Sequence, residues 1–230
     1  MDIRTLPQAE RQIYNQIRQK YRLIFDRLKL GDDTIRLLKV ADLEEFLEGK
    51  DPFANVAEFP FWIRLWDSAI VLSYLLHALP GNRQKRVLEL GAGLGAPGLA
   101  AAAAGFSVTL SDYEPIILDF QRVSAAASHL DKVEFALLDW LNPPELGTYD
   151  ILAGAEILFR EEFFQPLLAV FRQYLSPDGE IFLAHDARRQ SLAKFLRIAQ
   201  DEYDIAVNKQ TISKDGRTVS IIVNRLRRRK

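Results

Sequence analysis

Cysteine is absent from all 230 residues. That removes disulfides, a thiolate nucleophile and any cysteine-based zinc site. Histidine is scarce: His77, His129 and His185 lie far apart and show none of the spacings of a metal centre, so no metal is expected. Long hydrophobic runs are also missing. The most apolar stretches, around Ala69–Leu79 and Leu99–Phe106, are too short to span a bilayer, and no membrane association is expected. Met1–Glu10 is charged and has no apolar core, so no secretory leader is expected and a cytoplasmic location is the default reading. Neither charge dominates. The chain has 30 basic and 31 acidic side chains, a net charge of −1, which argues against an extended footprint for nucleic acid. The local exception is Arg225–Lys230, RLRRRK, which reads as a solvated tail. No internal repeat stands out.

What is present fits a globular domain. Hydrophobic residues make up 48% and charged residues 27%, and the length suits one α/β domain with an elaboration. Apolar residues Ile13, Ile17, Tyr21, Ile24 and Leu28 follow a helical stripe, which predicts a helix over Gln8–Lys29 ended by Gly31. A strand Thr34–Val40, an acidic helix Asp42–Glu48 and a proline-bearing loop Asp51–Pro60 are expected next. Residues 1–60 are thus read as a helical N-terminal extension or cap, and residues 61–230 as the main domain. Trp62–Leu79 reads as a helix stopped by Pro80-Gly81.

From Lys85 onward, strands alternate with helices. Strands are expected at Arg86–Leu90, Phe106–Leu110, Val133–Leu138, Tyr149–Ala155 and Glu180–Ala184. Helices are expected at Gly95–Ala104, Glu114–Ser128, Glu161–Tyr174 and Ser191–Asp201. This alternation predicts right-handed βαβ units and a parallel sheet covered on both faces. The end differs: Asp204–Ile212 and Thr218–Asn224 read as strands joined through Lys214-Asp215-Gly216, a hairpin signal. A hairpin is antiparallel. The expected fold is therefore α/β, a mostly parallel Rossmann-like sheet with one antiparallel C-terminal strand.

The strongest local signal is Val87-Leu88-Glu89-Leu90-Gly91-Ala92-Gly93-Leu94-Gly95, a buried strand running through alternating glycines into a helix. Glycine lets the main chain turn sharply and lets a ligand touch it, and the helix start offers free N–H groups. Gly91, Gly93 and Ala96 also satisfy the dinucleotide pattern G-x-G-x-x-G/A. Asp112 ends the second strand 21 residues after Gly91, the spacing of an acid that holds ribose hydroxyls, though it could equally cap the next helix. Asp139-Trp140 ends the third strand. There an acid and a flat aromatic could receive an adenine, or simply cap the loop and bury its edge. Glu89 could bind a ligand ammonium or accept N–H groups of the loop. A carboxylate at this position repels a pyrophosphate and suits a cationic, amino-acid-bearing adenosine ligand, S-adenosylmethionine.

These segments resemble the cofactor motifs of class I, seven-strand S-adenosylmethionine-dependent methyltransferases. Two more pieces resemble the family 16 protein-lysine methyltransferase group. They are Arg64-Leu65-Trp66-Asp67-Ser68-Ala69 before the first strand, and Ala155-Glu156-Ile157-Leu158-Phe159 after the fourth, the position of an acid-x-x-aromatic motif. The resemblance covers about Phe61–Asn224. It implies S-adenosylmethionine as cofactor and S-adenosylhomocysteine as product. It places Trp66, Glu89, Gly91, Ala92, Gly93, Gly95, Asp112, Tyr113, Asp139, Trp140 and Ala155 around the cofactor. Glu156 is implied as substrate orienter and Phe159 as pocket wall. The motif commonly carries Asp and Tyr where this chain has Glu156 and Phe159. The group's Tyr-Glu-x-Arg after the fifth strand is here His185-Asp186-Ala187-Arg188, and His185 could act as a base near neutral pH.

A protein substrate methylated on a lysine nitrogen is the activity the resemblance implies. The alternatives are a small-molecule N- or O-methyltransferase, a nonenzymatic cofactor-binding protein and, disfavoured by Glu89, Asp139-Trp140 and the reversed strand, a nicotinamide oxidoreductase.

Overall fold

The computed structural model describes residues 1–41, 61–80, 84–214 and 217–229. The predicted helix Asp42–Glu48, the loop Asp51–Pro60 and the turn residues Gly81, Asp215 and Gly216 lie outside them.

The N-terminal segment folds differently from its helical stripe. Helix α1 covers only Gln8–Ile17, and the chain then forms strand β1, Leu23–Leu30, paired antiparallel with β2, Asp33–Val40. Ile13, Ile17 and Tyr21 share a helical spacing. From Leu28, however, buried Leu28 and Leu30 flank exposed Lys29, which is strand alternation. Leu30 pairs directly with Asp33, so Gly31-Asp32 is a two-residue hairpin turn, and Gly31 takes the positive φ of 59° that such a turn needs. The described part of the extension, residues 1–41, therefore holds a short 3-10 turn, one α-helix and a hairpin.

After a short 3-10 turn at Phe61–Ile63, helix α2 covers Asp67–Ala78, shorter than expected because Arg64-Leu65-Trp66 is non-helical and Trp66 occupies the cap position. Then come β3 (Arg86–Glu89), α3 (Ala96–Ala103), β4 (Ser107–Asp112), α4 (Pro115–Ala127) and β5 (Val133–Leu137). They are followed by β6 (Tyr149–Ala155), α5 (Phe164–Tyr174), β7 (Leu175–Asp186), α6 (Gln190–Ala199), β8 (Tyr203–Lys214) and β9 (Arg217–Arg228).

Seven strands form one sheet in the order β5-β4-β3-β6-β7-β9-β8. Strands β3 to β7 pair in parallel, while β9 is antiparallel to both its neighbours, β7 and β8. The last strand is thus the single reversed one, slotted between β7 and the edge.

Side chains alternate across this sheet. Val87, Ile151, Ala153, Phe182 and Ala184 join the core under α2 and α3. Leu88, Leu152, Ile181 and Leu183 join the core under α5 and α6. This two-sided burial explains the continuous apolar runs of the central strands. A third cluster joins α1 and the hairpin to α4 through Tyr14, Ile17, Leu38, Phe120 and Val123. The Leu38 N–H donates to Ser124 Oγ at 2.9 Å and the Arg36 N–H to Ser128 Oγ at 2.8 Å, which seats β2 on α4.

The basic C-terminal run is not a free tail. Residues through Arg228 belong to β9, and Leu226 is fully buried. Arg225 and Arg227 both pair with Glu180, and Arg229 pairs with Asp204 at 3.1 Å. Arg225 and Arg227 alternate with buried Leu226 along this internal strand, as the two-residue period of a strand requires. No described helix is long and apolar enough to cross a membrane.

Candidate active site

A cavity of about 670 Å³ opens at the carboxyl ends of β3, β4, β5 and β6, where parallel α/β sheets bind ligands. Its volume lies within the range of about 300–1,000 Å³ typical of small-molecule sites. Every residue assigned above to cofactor or acceptor contributes to its wall.

One wall is the glycine loop. Gly91, Gly93 and Gly95 take φ values of 56°, 53° and 75°, a left-handed backbone that side-chain-bearing residues rarely adopt. A Cβ on Gly91 would lie 3.1 Å from Ile157 Cγ2 and 3.5 Å from Trp140, so the loop passes tightly beneath both. Asp112 anchors the loop: its carboxylate accepts the Gly93 N–H at 2.8 Å and the Tyr113 N–H at 2.7 Å. It does not cap α4, whose cap residue is Glu114 and whose first turn receives no side-chain bond. Burial pushes the Asp112 carboxyl up to about 6 against the pull of those two N–H groups, with Glu114 adding to the rise. Gln121 donates to the Gly93 carbonyl at 2.8 Å and keeps a buried Oε1 without a protein partner.

Glu89 accepts a backbone N–H, though of the following helix and not of the glycine loop. Its carboxylate is only 1% exposed and accepts the Gly98 N–H at 2.7 Å in the first turn of α3. Burial holds it well above the usual carboxylate range. Pro97 has no N–H, so with Gly98 occupied the α3 start is poorly equipped to bind a phosphate. The contact also explains Gly98: a Cβ there would sit 2.2 Å from Leu110 and 2.7 Å from the Glu89 oxygen. Gly98→Ala is expected to destabilise the fold by about 2–3 kcal/mol despite the better helix propensity of alanine, as overpacking does; urea denaturation of the two proteins checks this.

The third strand's end supplies Asp139 and Trp140. Asp139 accepts the Leu141 N–H at 2.9 Å, and the Trp140 ring meets Phe163 edge-on at 5.9 Å. Phe159 lies 6.5 Å from the same Phe163 ring, so three aromatic rings form one side of the cavity. Phe159 is half-buried there, part of the wall and not of the core.

Glu156 follows Ala155 at the end of β6 with φ of 57°, a strained conformation for a residue with a side chain. It is held on all sides. Its N–H donates to the Ala184 carbonyl at 3.0 Å, Oε1 accepts the Asp186 N–H at 2.6 Å, and Oε2 accepts Arg189 Nε at 2.6 Å. It caps no helix. His185, by contrast, is fully buried outside the cavity wall, where Nε2 accepts the Leu158 N–H at 3.3 Å. Burial, with nearby Arg189, pushes its pKa down to about 3. A neutral, buried imidazole turned away from the cavity is not a base for this site; it supports the loop bearing Phe159.

The fit to a cationic adenosine ligand is thus visible in the residues: a left-handed glycine cradle, an anchored Asp112 and a helix start already occupied by Glu89. Residues 61–202, more than half of the chain, match the family model described as lysine methyltransferase.

The chain belongs to this lysine methyltransferase family.

It is an S-adenosylmethionine-dependent methyltransferase, and three relatives show how the family extends. The protein N-lysine methyltransferase METTL21A of Xenopus tropicalis is 33% identical over 148 residues, covering 62% of this chain and 68% of that protein. EEF1A lysine methyltransferase 3 of Mus musculus is 32% identical over 160 residues, 63% of this chain and 69% of that protein. The histone-arginine methyltransferase METTL23 of Mus musculus is 35% identical over 146 residues, 58% of this chain and 56% of that protein. Among solved structures, the SAM-dependent methyltransferase from Agrobacterium tumefaciens superposes with a TM-score of 0.60 at 18% identity, covering 93% of this chain and 79% of that one, a likeness of fold.

Several wall residues of this methyltransferase escape a reading of motifs. Tyr21 reaches the cavity from the N-terminal extension, alongside Trp62. Gln121, buried behind the glycine loop and outside that wall, had a usable signal, a polar residue on the apolar face of α4 between Ile117 and Val123. Arg189 had none: in Arg188-Arg189, motif spacing favours Arg188, which is 87% exposed and pairs with Asp186 at 2.7 Å, while Arg189 turns inward.

Proposed function

We propose that the protein transfers the methyl group of S-adenosylmethionine to the side-chain amine of a lysine in a protein substrate. The observation that carries this reading is the clamped Glu156 beside the Trp140, Phe159 and Phe163 rings, in one cavity with the glycine cradle. Membership of the lysine methyltransferase family and the lysine acceptors named for the METTL21A and EEF1A relatives support it.

In this reading Gly91 and Gly93 approach the amino-acid part of the cofactor, Asp112 holds the ribose, and Asp139 and Trp140 receive the adenine. Tyr113, Trp66, Ala92, Gly95 and Ala155 complete that side. The cofactor supplies an electrophilic methyl on a sulfonium. The chain supplies position, worth several orders of magnitude in rate when two reactants are held in line. A free lysine amine has a pKa of about 10.4, so the site must receive it neutral. The aromatic rings cover the lysine stem and exclude water, which favours the neutral form. Glu156 orients the neutral amine through a remaining lone pair and accepts a proton from the methylammonium formed when the methyl has moved.

The test is to incubate the protein with methyl-labelled S-adenosylmethionine and, separately, the protein, nucleic-acid and small-molecule fractions of its source cells. Label in a protein band, recovered as methyl-lysine after hydrolysis, is the expected result. Recovery as methyl-arginine, or label only among small molecules, overturns the lysine reading.

A further inference from the structure

We infer that Arg189 is a positioning residue that cancels the charge of Glu156, so that the acceptor lysine binds Glu156 as a neutral amine. The inference rests on the lysine reading above.

A lone carboxylate beside an amine stabilises the ammonium, which has no lone pair to attack with. Orienting the amine and keeping it nucleophilic are then in conflict. The structure resolves the conflict in one contact. The Arg189 guanidinium lies 2.6 Å from Glu156 Oε2, with the Glu156 side chain 8% exposed and that of Arg189 25% exposed. The pair is neutral as a unit. An ionised carboxylate offers about four lone-pair sites, so two remain after the bonds from Arg189 and the Asp186 N–H. Glu156 therefore keeps its hydrogen-bonding capacity while losing most of its field.

The charges around the pair are themselves matched. Asp186 and Arg188 pair at 2.7 Å at the end of β7, Arg160 pairs with Glu162 at 2.8 Å, and Glu161 pairs with Lys194 at 2.5 Å across to α6. His185 beneath the loop is buried. Glu89, Asp112, Glu114 and Asp139 belong to the cofactor side of the cavity, and Arg64 lies over Trp66 at 4.9 Å on the rim. The Glu156–Arg189 pair thus sets the net charge at the acceptor nitrogen, and its charge is decided by whether Arg189 is there.

The experiment follows methyl-lysine formation against pH, from pH 6 to 10, with labelled S-adenosylmethionine and the protein fraction of source cells. It uses wild type, Arg189→Gln, Arg189→Lys, Glu156→Gln and the double variant Glu156→Gln/Arg189→Gln. S-adenosylhomocysteine binding of each variant reports on folding. Rate rises with pH as the acceptor amine loses its proton. Arg189→Gln leaves an uncancelled anion and moves the rising limb up by about one pH unit, about a tenfold loss on the limb that is recovered at high pH. Glu156→Gln alone leaves an uncancelled cation and moves the limb of the residual activity down. The double variant and Arg189→Lys, both neutral as units, return the limb to its wild-type position whatever their maximal rates. A purely structural Arg189 lowers the rate at every pH and leaves the limb in place. An unshifted limb in Arg189→Gln, or a double variant as shifted as the single one, overturns the inference. Should Arg189→Gln not bind S-adenosylhomocysteine, the downward shift in Glu156→Gln and the unmoved limb of Arg189→Lys decide, and failure of either overturns it. Failure of the lysine reading is separate, since wild type then forms no methyl-lysine at any pH.

Discussion

Glu156→Ala lowers turnover by about 10²–10³-fold, the range for losing a positioned general base together with an orienting hydrogen bond, while S-adenosylhomocysteine affinity stays near wild type. The reasoning starts from the backbone. Glu156 holds a φ of 57° because its own N–H and both its carboxylate oxygens are bonded to Ala184, Asp186 and Arg189 at the end of β7 and just beyond it. Truncation removes the group that aims the acceptor and takes the proton of the methylated product, strands the Arg189 cation, and leaves the Asp186 N–H without its acceptor. Each of these acts on the acceptor side. The glycine cradle, Asp112 and Gln121 are joined to one another by separate bonds. Steady-state kinetics and calorimetric titration check the split. A variant that loses cofactor affinity as steeply as turnover would show that Glu156 serves the cofactor side instead.

Affinity for S-adenosylhomocysteine falls about tenfold between pH 7 and pH 5, because Asp112 titrates at about 6 in the unliganded protein and the ribose needs its anion. The ligand's own amino and carboxyl groups titrate outside that window. Asp112→Asn flattens the profile and starts from a weaker affinity at pH 7, since an amide is a poorer acceptor for the Gly93 N–H and for ribose. The stability effect has the opposite sign. The folded pKa of Asp112 lies above its unfolded value of 3.8, so its stabilising contribution is fully present below about 3.8 and is lost as pH rises through about 6. Acid therefore favours the empty fold through Asp112 while weakening the ligand's hold. Calorimetric titration at pH 5, 6 and 7 on both proteins separates the two effects. A wild-type affinity that does not change over this range would remove Asp112 from the ribose site.

The central sheet was legible from residues alone because parallel strands buried on both faces leave continuous apolar runs between amphipathic helices, and because alternating glycines can do little but turn a strand into a helix. The N-terminal hairpin was not, since Leu28 fits a helical stripe as well as a strand, and only packing of β2 on α4 decides between them. The acids divided similarly. Asp112 sits where spacing places it. Glu89 was readable as a carboxyl group near the loop, but its partner, the Gly98 N–H, is set by the pitch of α3. Arg225–Arg228 looked like a tail because charge hides the alternation with Leu226. Arg189 was invisible, because which of two adjacent arginines turns inward depends on the path of the chain between β7 and α6.

A crystal structure of the protein with S-adenosylhomocysteine tests the site most directly. The account predicts ribose hydroxyls within hydrogen-bond distance of the Asp112 carboxylate, the adenine at Asp139 and Trp140, and the sulfur facing the opening between Glu156 and Phe159. A ligand in the same cavity with its sulfur turned away from Glu156, or with its ribose out of reach of Asp112, would contradict it.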